Sequence, residues 1–207
     1  MDNFLAIVVQ ICMVVLALTT HEFSHAMAAY KLGDDTAKRM GRLTLNPLKH
    51  LDILGAIMLL IVKIGWAKPV PINPYNFKNQ KTGMAITAAA GPASNGVLAI
   101  IAAMFYNFSI NSFSALGPSS LFLSSLRFLV MINLVLGLFN MIPIPPFDGS
   151  KIIGGFMPDD MYFKWRDIDI RHGRSIMMGI ILVNLIYPII PKIIMPPLNF
   201  FMQLLLG

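Results

Sequence analysis

The chain has 207 residues, 56% of them hydrophobic and 13% charged, with a net charge of +6. That balance excludes an ordinary soluble domain. Because the basic residues fall in loops beside apolar stretches, the charge points to membrane orientation and not to nucleic acid as a partner. The single cysteine, Cys12, excludes an internal disulfide and a cysteine-based zinc knuckle.

The first element is an apolar run over residues 4–20, "FLAIVVQICMVVLALTT", that continues into "HEFSH", residues 21–25. Only Met1, Asp2 and Asn3 precede it, and "HEFSH" is no small-residue cleavage site. A spanning helix over residues 4–30 is therefore expected, not a cleaved signal peptide. Ionisable groups at membrane depth are costly and by default mark function. Residues four apart on a helix share a face, so His21 and His25 can bind one metal while Glu22 reaches a water on it. This is the zinc-hydrolase pattern H-E-x-x-H. The bland alternative, two core histidines that share a turn by chance, is disfavoured by the cost of such groups in lipid.

Beyond this helix, residues 31–50 carry Lys31, Lys38, Arg39, Arg42 and Lys49. "GRLTLNP" (41–47) and "WAKPVPINP" (66–74) read as short extended segments interrupted by Gly, Asn and Pro. The apolar piece between them, residues 53–64, has about 12 residues where a span needs roughly 20. With basic residues on both flanks, it is expected to dip into the membrane and return, or to lie at its surface. Spans are then predicted over 84–106 and 121–141. A last one begins near Ser175; Pro188, Pro191, Pro196 and Pro197 break it into one span and a short interfacial helix, or into two short spans. Residues 151–174 are basic and residues 111–120, "NSFSALGPSS", are uncharged, which places both basic loops in the cytoplasm. The expected fold is an all-α polytopic membrane protein of about four to six transmembrane helices, with a small membrane-associated β or re-entrant region after the first. It forms a single membrane-embedded domain over 1–207, with a core of about 4–149 and C-terminal helices over about 150–207.

Catalytic zinc usually takes three protein ligands and leaves one position for water. Glu22 is the only glutamate, so a downstream glutamate ligand is excluded, and Ala28 and Lys31 break the longer H-E-x-x-H-x-x-G-x-x-H signature. Cys12 lies half a revolution away and over ~13 Å along the helix. His50, His172 and the aspartates remain. Asp148 is the best of these: it closes "NMIPIPPFDG" (140–149), at the end of a second span running outside to inside, and so at the level of His21 and His25. Its prolines fix a non-helical path and Gly149 permits a sharp turn. The competing reading is a solvated Asp-Gly turn. His50 reads as structural or as a neighbour of the site, His172 as part of a solvated surface element, and Arg127 as snorkelling near the outer interface.

The two motifs together resemble those of the site-2 protease family of intramembrane zinc metalloproteases, and "GRLTLNP", "GWAKPVPINP" and "GPASN" (91–95) resemble segments of its compact prokaryotic members. The resemblance implies one zinc ion held by His21, His25 and Asp148, with Glu22 as base and Asn140 helping to hold the substrate carbonyl. It also implies a membrane-associated sheet after the first helix. The proline expected after Asp52 is missing, and no PDZ or CBS module is expected. The activity implied is endopeptidase cleavage of transmembrane segments near the cytoplasmic face of the cell membrane, with the lipid bilayer and a membrane-protein substrate as partners. The rival reading is a zinc transporter, which would need ligands at successive depths; the other spans offer no further histidine or carboxylate.

Overall fold

The computed structural model describes residues 2–52, 55, 67–112 and 121–207. It is helical: α1 (Asp2–Lys31), a one-turn α2 (Thr36–Arg39), α3 (Gln80–Ser112), α4 (Leu121–Asn140), a short α5 (Asp148–Gly154), α6 (Asp159–Ile186) and α7 (Ile189–Leu206). Two 3₁₀ turns, Pro47–Lys49 and Pro74–Asn76, punctuate the stretch between α2 and α3. Each starts with proline, where the missing N–H costs nothing, and each is capped by the preceding asparagine (Asn46, Asn73).

Helix α3 is the hub, touching α1, α4, α5 and α7. Its small residues explain this. Apolar side chains gain nothing by leaving lipid for a protein interface, so membrane helices associate where small residues let backbones approach closely. Ala99, Ala102 and Ala103 of α3 are buried against Val130 and Leu134 of α4 and Ile194 and Leu198 of α7. The outward faces carry Phe4, Ile7, Met104, Phe105, Phe108, Phe122, Phe200 and Leu204, all exposed and suited to lipid.

Four helices are long and apolar enough to cross a membrane: Phe4–Lys31, Gln80–Asn111, Leu121–Asn140 and Ile189–Leu206. Three match the sequence expectation. The fourth is α7, the later of the two pieces into which the prolines are expected to break the stretch from about Ser175. Residues 175–186 instead continue α6, whose first half is charged. Pro188 and Pro191 fall just before and within the first turn of α7, where a helix tolerates proline, and the helix runs on through Pro196 and Pro197. The charged half of α6 is docked by Trp165 Nε1, which donates to Ser150 O (3.1 Å), and by Arg166, which donates to Gln80 Oε1 (3.0 Å).

The expected sheet after α1 is not formed by the described residues. Among the described residues there is no strand, only an isolated antiparallel bridge between Leu51 and Ala67, with Lys68 N donating to His50 O at 2.8 Å. Prolines at 69, 71 and 74 remove the donors that a longer ladder would use. The expected re-entrant piece, residues 53–64, lies outside the described residues apart from Gly55.

Candidate metal centre

Helix α1 puts His21 and His25 on one face, and both imidazoles are buried. Asp148 reaches them from the start of α5, 8% exposed. His21 Nε2 and His25 Nε2 are 3.0 Å apart, and each lies 3.2 Å from Asp148 Oδ2. Tetrahedral ligation at bond lengths of about 2.0–2.1 Å sets ligand atoms about 3.3 Å apart, close to the observed triangle.

The protons decide what this triangle needs. His25 Nδ1 bonds the Thr87 carbonyl at 2.7 Å, and a carbonyl only accepts, so Nδ1 is the donor. His21 Nδ1 meets Asn95 Oδ1 at 2.6 Å. In the neutral rings both Nε2 atoms therefore turn bare lone pairs inward. Asp148 Oδ2, buried among them, has no hydrogen-bond partner. Three acceptors facing one another without a donor are unfavourable until a cation sits between them. Among the described residues these three form the single group of His, Cys, Asp or Glu side chains with that convergence.

Glycine makes the close packing possible. A Cβ on Gly149 would overlap the Met141 carbonyl. Its φ is not positive, so what Gly149 supplies is room for close backbone approach and not a left-handed conformation.

Glu22, half-buried, follows His21 on α1. Its Oε2 accepts from Val70 N at 3.2 Å, so the segment after the Leu51–Ala67 bridge lies over the carboxylate. Arg42 braces that segment: it is buried and donates to Lys68 O at 2.6 Å. Burial pushes the Arg42 guanidinium below its ordinary value, and the Glu22 carboxylate nearby opposes this. Asp34, fully buried just past α1, accepts from Asn73 N (2.7 Å), Asn76 Nδ2 (2.7 Å) and Thr36 N (3.1 Å) and Oγ1 (2.5 Å). It ties the same segment to α2. Burial alone would raise its carboxyl; these hydrogen bonds outweigh burial and hold it below the usual range.

The chain is similar to several known proteins. The Bacillus subtilis protein "Putative zinc metalloprotease YwhC" is 37% identical over 191 residues, 89% of this chain and 83% of that protein. The chain belongs to peptidase family M50, the site-2 protease family. Peptidase family M50 also matches directly over residues 108–180, a stretch that contains Asn140 and Asp148. "Putative zinc metalloprotease Rip2" of Mycolicibacterium smegmatis is 31% identical over 144 residues, 65% of this chain and 51% of that protein. Its namesake in Mycobacterium tuberculosis is 27% identical over 138 residues, with the same coverage. No solved structure matches the chain. With four helices fit to cross a bilayer, this M50 chain is a multi-pass membrane protein.

The remaining candidates are not part of the triangle. Asn140 ends α4, its amide donating to Leu136 O at 3.0 Å. His50 is buried away from the triangle, its Nε2 on Thr44 O at 2.8 Å. His172 is exposed on α6. Sequence reasoning assigned no role to Thr87 or to Gly91 and Asn95 of "GPASN", all of which touch the histidines or pack against them.

Proposed function

We propose that the chain is a membrane-embedded zinc endopeptidase that cuts transmembrane segments of other proteins near the cytoplasmic face of the cell membrane. His21, His25 and Asp148 hold one zinc ion, and Glu22 is the general base. The observation that carries this reading is the donor-free meeting of two imidazole nitrogens and a buried carboxylate oxygen, which a divalent cation satisfies.

When bound, zinc lowers the pKa of a water towards 7 and polarises the scissile carbonyl. The chain's own residues do the rest. Val70 N–H holds Glu22 Oε2, so that Oε1 takes the proton of the attacking water and later delivers it to the leaving amine nitrogen. Asn140, at the end of α4, donates to the substrate carbonyl oxygen as negative charge builds there. The substrate must leave its helix to expose a peptide bond. Its freed backbone groups then pair with the irregular segments around residues 41–47 and 67–73. A transporter is the weaker reading, since the described residues offer metal ligands at one depth alone.

The test is cleavage of a transmembrane reporter by purified, zinc-loaded protein, with products identified by mass. Glu22→Gln removes the base and no ligand. It should lower the rate by about 10²–10⁴-fold at unchanged zinc content. Undiminished turnover in that variant would falsify the hydrolytic mechanism.

A further inference from the structure

Both histidines bind through Nδ1 outside the triangle, but in unlike ways. The Thr87 carbonyl can only accept, so the backbone itself fixes the proton of His25. The partner of His21 is a side-chain amide, which presents either an oxygen or an NH₂ group depending on which way round it sits. Turned the wrong way, it would demand that His21 Nδ1 accept, put the proton on Nε2 and block a metal.

Two further bonds decide the orientation. Asn95 Nδ2 donates to Ala17 O at 3.3 Å and to Asn133 Oδ1 at 2.8 Å, using both of its hydrogens. Asn133 is in turn fixed because its Nδ2 donates to Leu129 O at 2.8 Å. The relay is thus anchored at its outer ends by two backbone carbonyls, groups that cannot donate. Flipping Asn95 would set its oxygen against Ala17 O and Asn133 Oδ1. Both asparagines are 0% exposed, so no water compensates.

We propose that Asn95 and Asn133 are positioning residues, a two-amide relay that holds His21 with its proton on Nδ1 and its Nε2 lone pair turned to the metal. This rests on the metal reading above and adds to it which residues set the tautomer. The rival role is plain helix-to-helix adhesion, since the relay joins α1, α3 and α4 and such bonds also occur as glue in membranes.

Zinc affinity and histidine spectra separate the two roles. The protein is purified in detergent, and its zinc dissociation constant is measured by chelator competition. Asn95→Leu should weaken zinc by about 10–100-fold, the cost of losing an outer hydrogen bond to a ligand. Asn95→Asp keeps an acceptor for His21 but sets its second oxygen against Ala17 O and Asn133 Oδ1, so it should restore only part of that loss. Asn133→Leu leaves Asn95 in place but removes the acceptor that orients it. It should give a smaller loss and perturb the ¹⁵N signals of His21 while those of His25 stay unchanged. In zinc-loaded wild type, ¹⁵N spectra should show His21 protonated at Nδ1 and zinc-bound at Nε2. A His21 that binds through Nδ1, or wild-type zinc affinity in both leucine variants, overturns the relay. Should Asn95→Leu fail to fold, the wild-type spectrum and Asn133→Leu decide. Wild-type protein that binds no zinc overturns the metal reading itself, and the relay with it.

Discussion

Gly91 of α3 lies so close to His25 of α1 that one added methyl group has no place: a Cβ there would overlap His25 Nε2, sit 2.5 Å from its Cε1 and 2.7 Å from His21 Cε1. The glycine forms one wall of the pocket that holds His21 and His25. Gly91→Ala should therefore push both imidazoles off their partners, Asn95 and Thr87. Overpacking of this kind costs about 1–3 kcal/mol of stability. The expected result is a folded protein of lower melting temperature whose zinc content falls well below that of wild type. Normal zinc content would mean that the histidines sit elsewhere than the structure has them.

Asp148→Asn separates metal binding from folding. With both imidazoles neutral and no zinc bound, Asp148 Oδ2 faces two inward lone pairs and no donor. An amide at that position can donate, so the zinc-free variant should melt at the wild-type temperature or above it. Zinc affinity should fall by more than the roughly 10–100-fold expected for losing an outer partner. The rise in melting temperature that zinc gives wild type, which grows with concentration over the dissociation constant, should vanish. A thermal melt with and without zinc checks both halves. An undiminished zinc-induced rise would show Asp148 misassigned.

How far the site is legible in the sequence depends on whether a relation is local. His21 and His25 are four residues apart, and helix periodicity alone puts them on one face. Asp148 follows from span counting, because two helices running the same way end at the same level. The partners of the histidines are another matter. Asn95 is 74 residues from His21 and Thr87 is 62 from His25. Which residues of α3 meet α1 depends on how the two helices are rotated against each other, and a chain of alanines and glycines leaves that rotation open. The fourth span is hard to place from sequence for a different reason. Prolines near 188 and 191 read as breaks whether they end one helix or begin the next, and residues 175–186 are as apolar as α7. Beyond the bridge at Ala67, residues 68–73 form no strand, and the prolines at 69 and 71 lack the N–H groups that a ladder would use.

Asp34 gives the pH dependence. Its carboxyl is held below the usual range, so the folded-state pKa lies under the unfolded value of about 3.9. For a depressed carboxylate, the stabilisation is fully present above the unfolded pKa and is lost as pH falls through the folded one. Asp34→Asn weakens hydrogen bonds to a charged acceptor, each worth about 1.5–3 kcal/mol. The melting-temperature gap between wild type and Asp34→Asn should be constant above about pH 5 and close as the pH falls below about 4. The other titrating groups are common to both proteins, so the gap isolates Asp34. A gap that widens in acid would contradict the sign.

The direction of α7 can be tested by labelling. Asn107 Nδ2, near the end of α3, donates to Leu205 O at 2.8 Å. The metal triangle lies by Thr87 and Gly91, near the start of the same helix. Helix α7 therefore ends far from the triangle, and if it crosses the membrane its start, just after Tyr187, lies on the triangle's side. The positive-inside rule applied to the basic loops predicts that this side is cytoplasmic. In a Cys12→Ser background, single cysteines replacing Lys38, Lys78, Lys164 and Tyr187 should react with an impermeant thiol reagent from the cytoplasmic face. One replacing Gly207 should react from outside. Tyr187 is the deciding position, since it is 68% exposed and a span over residues 175–186 would carry it outside. Labelling of Tyr187→Cys together with Gly207→Cys from the outside would restore that span and remove α7 from the membrane-crossing set. Lys38 and Lys78 test the piece between them in the same experiment. Reaction from one side means that the chain between α2 and α3 does not cross; reaction from opposite sides means that it does.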